Sequence, residues 1–171
     1  MTPGLFRVLF TVALLALAPV ACGGDENDQQ GTDTTEAPAA AAAEALEDTA
    51  VKPEIPIPAG SPPRTLEKED IVKGKGPAAR AGDNVVVHYV GVSFSTGDEF
   101  DASWSTGQPY RFPLGGGQVI KGWDQGVVGM RKGGRRKLTI PPQLGYGAEG
   151  FPPAIGPNET LVFVVDLLEI Q

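Results

Sequence analysis

The sequence predicts an α+β domain, several antiparallel strands with one short helix, occupying residues 63–171. Three observations carry that reading. Beyond Pro63, short apolar runs alternate with glycine-rich turns. Only one stretch in this region repeats at helical spacing. The region is also long enough to bury a core without disulfide or metal.

The first expected strand covers 66–72 and the second 84–94. In the second, Val85, Val87, Tyr89 and Gly91 fall on one face, and Val86, His88 and Val90 on the other. Thr96-Gly97-Asp98-Glu99 reads as a polar hairpin turn leading into a short strand at Phe100-Asp101. Further strands are expected at 110–114, 135–140 and 161–170. Val119, Trp123 and Val127 follow Gly115-Gly116-Gly117 at i, i+4 and i+8, which predicts a helix over 119–128 with one apolar stripe. Residues 141–160 are rich in Pro and Gly with scattered apolar side chains; a loop of that length in a small domain reads as a flap over a pocket.

The 171-residue chain carries a net charge of −7, unevenly spread. Residues 1–22 carry only Arg7, and residues 23–62 hold nine acids against Lys52. The domain itself has twelve acids and twelve bases. A neutral domain behind an acidic segment offers no footprint for nucleic acid, which calls for a basic face or stripe. Residues 8–20 form an apolar run after Arg7, short for a membrane span and suited to the core of an export signal. The single cysteine, Cys22, follows it and has no intrachain disulfide partner. Residues 23–62 have few large apolar side chains and prolines at 53, 56, 58 and 62, so this stretch reads as an acidic, disordered tether, stiffened distally by polyproline geometry.

Several chemistries lack their residues. One histidine and one cysteine cannot build the usual zinc site, so no metal is expected. His88 sits in mid-strand among valines, where a packed, hydrogen-bonded role is expected. Gly115, Gly117 and the Lys121-Gly122 pair match neither GxxxxGK[ST] nor GxGxxG, and no cofactor is expected. Aromatic residues beside Pro/Gly loops stand out instead. Trp123 lies on the helix, Tyr89 and Phe163 on strands, Phe100 and Tyr110 near strand ends, and Tyr146 in the flap. On pattern alone each reads first as core, and together they could line an apolar cleft.

At these residues the sequence resembles the FK506-binding protein family. Val87-His88-Tyr89-Val90-Gly91, Phe100-Asp101-Ala102-Ser103, Phe112-Pro113-Leu114-Gly115, Val119-Ile120-Lys121-Gly122-Trp123-Asp124, Leu138-Thr139-Ile140-Pro141, Leu144-Gly145-Tyr146-Gly147 and Thr160-Leu161-Val162-Phe163 match its motifs in order and spacing. The resemblance implies a curved antiparallel sheet wrapped around the helix, with a pocket between them. Trp123 would be the pocket floor, and Tyr89, Phe100, Tyr110, Val119, Ile120, Tyr146, Ile155 and Phe163 its walls. Asp101 would be the one charged neighbour, while the Ile120 N–H and the Tyr146 hydroxyl would donate hydrogen bonds to substrate carbonyls. The implied activity is peptidyl-prolyl cis/trans isomerisation, by a monomer, on proline-containing exported polypeptides. Macrolides of the rapamycin type are further implied ligands, and a binding module with little turnover is the other reading of the same pocket. Thr106 stands where some relatives carry an arginine beside the aspartate; Phe151 and Ala154 also depart from the family pattern. Separately, Val20-Ala21-Cys22-Gly23-Gly24 resembles a bacterial lipoprotein cleavage site, with Pro19 in place of the usual leucine. This implies a lipid anchor at Cys22 that holds the domain to the membrane, facing the periplasm or the cell exterior.

Overall fold

The computed structural model describes residues 46–171; Cys22 and the export-signal reading lie outside the described residues. Six strands form one antiparallel sheet: β1 (Glu67–Val72), β2 (Asn84–Ser93), β3 (Glu99–Ala102), β4 (Tyr110–Pro113), β5 (Arg135–Ile140) and β6 (Leu161–Ile170). The order is β1-β5-β6-β2-β3, and β4 pairs with the other end of β2. β2 and β6 are the longest strands and lie side by side at the centre, with Val85 opposite Ile170 and Ser93 opposite Leu161. Register shifts at Asp70/Val72, Val86/Val87 and Gly91/Val92 interrupt the ladders. Such bulges strengthen local twist and bend the sheet.

A helix, α1 (Lys121–Gly126), packs on one face. It is shorter than the stretch 119–128 that the apolar spacing predicts. Ile120 is its N-cap, with ψ at 147°, so Val119 stays in the preceding loop, while Val127 closes the far end and accepts no further turn before Gly129 at φ +84°. The helical glycines have a packing reason. A Cβ on Gly126 would lie 2.7 Å from Leu138 Cδ1, and one on Gly122 would collide with Ile140, so their absence lets the helix lie directly on β5. Trp123 and Val127 then enter a core with Val85, Val87, Phe112, Leu138, Ile140, Phe163 and Val165.

Both sheet faces are covered, which explains why β6 is apolar almost throughout rather than alternating. On the outer face Val90, Val92, Ala102 and Val162 form a second cluster with Ile55, Phe94 and Trp104. His88 belongs there. Its Nδ1 lies 2.9 Å from the Ser103 hydroxyl oxygen and its ring stacks on Trp104 at 4.5 Å, the packed role expected of it.

Ile55 brings a departure from the expected tether. From Leu46 onward the chain is laid against the domain as a strap. Arg135 is fully buried and forms a two-pronged pair with Asp166, at 2.5 and 2.7 Å. Its remaining N–H groups donate to the carbonyls of Leu46, Asp48 and Val51 at 2.9–3.0 Å. A buried guanidinium must fill its donors, and the strap's backbone supplies three acceptors. Lys52 adds an ion pair with Glu99, and Ile57 sits against Gly97. Residues 46–57 are therefore held by the domain rather than free of it, despite their composition.

Candidate functional site

On the α1 side of the sheet, a cavity of about 360 Å³ opens between helix, β2–β4 and the 141–160 segment. Trp123 is 4% exposed and forms its base. Tyr89, Phe163 and Tyr110 meet the indole edge-on, with ring centroids 5.0, 5.3 and 6.3 Å away. Phe100 meets Phe163 edge-on at 5.5 Å. Edge-to-face contacts of this kind fix ring orientation beyond simple area burial. Gly91 makes the wall possible: a Cβ there would lie 2.6 Å from Phe163 Cε1 and 2.8 Å from Phe100 Cζ.

The loop before α1 is positioned by Asp124, whose carboxylate accepts the N–H groups of Gly115 at 2.8 Å and Gly117 at 3.0 Å. Both glycines have positive φ, +78° and +68°, a backbone that other residues adopt only under strain. This places Val119 and Ile120 on the rim. The Ile120 carbonyl starts the helix by accepting the Trp123 N–H at 2.9 Å, whereas its own N–H meets no acceptor among the described residues.

The polar groups are few. Tyr89 donates its hydroxyl to Asp101 Oδ2 at 2.6 Å, so Asp101 has a partner although Thr106 provides none; the Thr106 hydroxyl donates to the Ser103 carbonyl instead. Burial raises the Tyr89 phenol well above its usual range, and the hydrogen bond to Asp101 adds to the effect. Burial also raises Tyr146, helped by the Asp101 charge. Both phenols therefore keep their protons at neutral pH. The Tyr146 hydroxyl has no partner among the described residues and remains free to donate.

Of the residues expected from the sequence, Tyr89, Phe100, Asp101, Tyr110, Val119, Ile120, Trp123, Tyr146 and Phe163 line this one cavity. Ile155 does not. It is 4% exposed within the main core, turned inward by the pair of 2.9 Å backbone hydrogen bonds it exchanges with Phe151. Gln118 lines the cavity and went unnoticed in the sequence, where an exposed polar residue beside three glycines carries no pattern. A separate cavity of about 670 Å³ lies between the strap and the outer sheet face and contains none of the expected residues.

A sheet wrapped on a short helix holds an aromatic pocket whose edge carries an N–H and a phenol without partners among the described residues, an arrangement that can enclose an apolar group and offer it two hydrogen-bond donors. Residues 76–168 match the family of FKBP-type peptidyl-prolyl cis-trans isomerases, and the chain belongs to that family. It is 58% identical over 120 residues to an FK506-binding protein of Streptomyces anulatus, covering 70% of this chain and 97% of that one. It is 51% identical over 117 residues to a probable FK506-binding protein of Corynebacterium glutamicum, covering 68% and 97%. The crystal structure of AtFKBP13 superposes with a TM-score of 0.59 at 38% identity, covering 64% of this chain and 96% of that one.

Proposed function

We propose that this chain rotates Xaa-Pro peptide bonds in exported polypeptides, using the Trp123 pocket to hold the proline ring, and that it works outside the cytoplasmic membrane from a lipid anchor at Cys22. The isomerase activity is that of its family. The observation that carries the assignment of residues is the convergence of Ile120, Tyr146 and Asp101 on the aromatic cavity.

Rotation about a peptide bond faces a barrier of about 18–20 kcal/mol because twisting destroys amide resonance. No nucleophile is needed to lower it. A twisted amide has lost the charge separation of the planar form, so a water-poor, apolar surface favours the twisted state over the planar one. The rings of Tyr89, Phe100, Trp123 and Phe163 supply that surface. The Ile120 N–H and the Tyr146 hydroxyl grip carbonyls of the bound chain and fix which part rotates. Asp101, tied to Tyr89, holds the one negative charge beside the reacting amide. A barrier reduction of about 6 kcal/mol brings a process of tens of seconds below a millisecond. The same pocket suits macrolides that present a proline-like ring, and the protein is proposed to act as a monomer.

The export reading is supported by the apolar run at 8–20 and by the position of Cys22 after Ala21. Partition of the full chain into the detergent phase of a membrane extract, lost on Cys22→Ala, is the expected result; unchanged aqueous partition in both overturns the anchor. A protease-free assay of cis/trans exchange on a short Xaa-Pro peptide tests the pocket. Catalysed exchange that a macrolide blocks supports it, and exchange unaffected by Trp123→Ala in folded protein removes it.

A further inference from the structure

The cavity of about 670 Å³ on the outer sheet face is walled on one side by strap residues 55–59 and by Leu46. Its floor includes Thr139 on β5 and Val162 and Val164 on β6, which are 7%, 2% and 0% exposed. An apolar sheet face is stable only against another element. Leu46 and Glu47, where the described chain begins, have helical backbone, with Leu46 half-buried at the cavity and Glu47 exposed. Arg135 meets them end-on, its Nη1 donating to the carbonyls of Leu46 at 2.9 Å and Asp48 at 3.0 Å. The last carbonyls of a helix have no partner within it, and a cation there is favoured both as donor and by the helix dipole.

We infer that residues 36–47 form an alanine-faced helix that docks in this cavity on the outer face of β5 and β6, with Arg135 as its carboxy-terminal cap. Two helical residues do not make a helix by themselves. Each helical N–H reaches a carbonyl four residues back, so Leu46 and Glu47 are the end of a helix that starts earlier in the chain. The sequence before them suits one. Thr35 is a capping residue, Glu36 places an acid at the positive end, and Pro38 falls in the first turn, where its missing N–H has no partner to lose. Ala39, Ala42 and Ala43 stand at i−7, i−4 and i−3 from Leu46 and share its face, while Ala41 and Glu44 fall on the opposite one. Alanine favours the helix and lets its backbone approach a sheet closely.

The lengths agree. Twelve helical residues span about 18 Å, and the six residues of β5 span about 20 Å. The occupant is this segment and not a separate chain because Leu46 already sits at the cavity, which gives the residues just before it an effective concentration in the millimolar range. The domain then begins near residue 36, and the sheet carries a helix on each face. This inference is independent of the isomerase reading.

Amide hydrogen exchange of the chain from residue 22 carrying Cys22→Ala, alone and with Ala42→Gln or Ala41→Gln, tests it. A helix of this length is marginal in water, so amides of residues 40–47 are expected to exchange at least about tenfold more slowly than an unstructured chain only if the helix is docked. Ala42→Gln, on the Leu46 face, should remove that protection while the amides of β5 and β6 keep theirs. Ala41→Gln, the same change on the opposite face, should retain it. Absence of protection in the parent overturns the inference and leaves the cavity to a partner chain. Equal protection in Ala42→Gln, or equal loss in both variants, also overturns it, since no face of the helix would then be the docked one. Protection that rises with protein concentration would give the cavity to a second copy and overturn it likewise.

Discussion

The Tyr146 hydroxyl is held as a phenol and bonds to nothing among the described residues, so its loss separates binding from folding more cleanly than any other single change at the pocket. Tyr146→Phe should lower the isomerase rate constant by a few-fold to about tenfold, the worth of one net hydrogen bond, with the melting temperature little changed. Asp101 is less simple than its position suggests. Asp101→Leu should lower activity further, but it also strips the half-buried Tyr89 hydroxyl of its acceptor, a loss of about 1–3 kcal/mol in stability. Denaturant titration beside the exchange assay checks both figures, and Tyr89→Phe in the Asp101→Leu background should recover part of the stability. Trp123→Ala should damage folding and activity together, by about 3–5 kcal/mol, because its ring fills the space between helix, β2 and β6.

Among the elements, the join between the flap and the end of β2 carries a pH dependence. Glu159 accepts the Ser93 hydroxyl at 2.7 Å, the Ser95 N–H at 3.0 Å and the Ser95 hydroxyl at 2.9 Å. Burial alone would raise its carboxyl, but these donors outweigh burial and hold it below the ordinary value of 4.5. A carboxyl lowered by folding adds stability above its unfolded pKa and loses it as pH falls through the lower, folded one. Glu159→Gln should therefore be less stable than the parent at pH 7, with the gap narrowing below about pH 4.5, as read from urea midpoints at several pH values. The strands were legible because alternation and glycine turns bound them: β5 and β6 begin and end as the pattern predicts, and β1 and β2 differ by a residue. The helix was legible in place but not in length, since the apolar stripe also continues through Val119, which precedes the Ile120 cap, and through the closing residue Val127. Most of the pocket followed from its aromatic residues and their motifs. Ile155 did not, because backbone pairing with Phe151 decides which way it faces, and side-chain identity does not report that pairing.

At the scale of the molecule, the strap was illegible for a related reason. Acidic and proline-rich composition describes residues 46–57 as it describes a free chain, and what holds them is their own carbonyl oxygens on a buried arginine that lies more than eighty residues away in sequence. A chain beginning at Ser61 leaves three N–H donors of Arg135 without their carbonyl acceptors and uncovers Ile55's place on the outer cluster. Hydrogen bonds to a charged group contribute about 1.5–3 kcal/mol each when intact, although water refills part of that. A net loss of about 2 kcal/mol is expected, some 8–16 °C in melting temperature for a domain of this size. A shift within a degree or two of the chain beginning at Leu46 would show that the strap adds nothing.

Arg135 also decides where a pull on the amino terminus is felt. Tension arriving along the chain meets the guanidinium before it meets β1, and Arg135 passes the load to Asp166 on the neighbouring central strand. The pocket lies on the opposite face and stays out of that line. Stretched from its amino terminus in an optical trap, the protein should first yield at this clasp, paying out up to about 70 Å as residues 46–66 straighten, while the sheet and its proline pocket remain whole. The clasp acts as a fuse between the amino-terminal side of the chain and the pocket-bearing sheet.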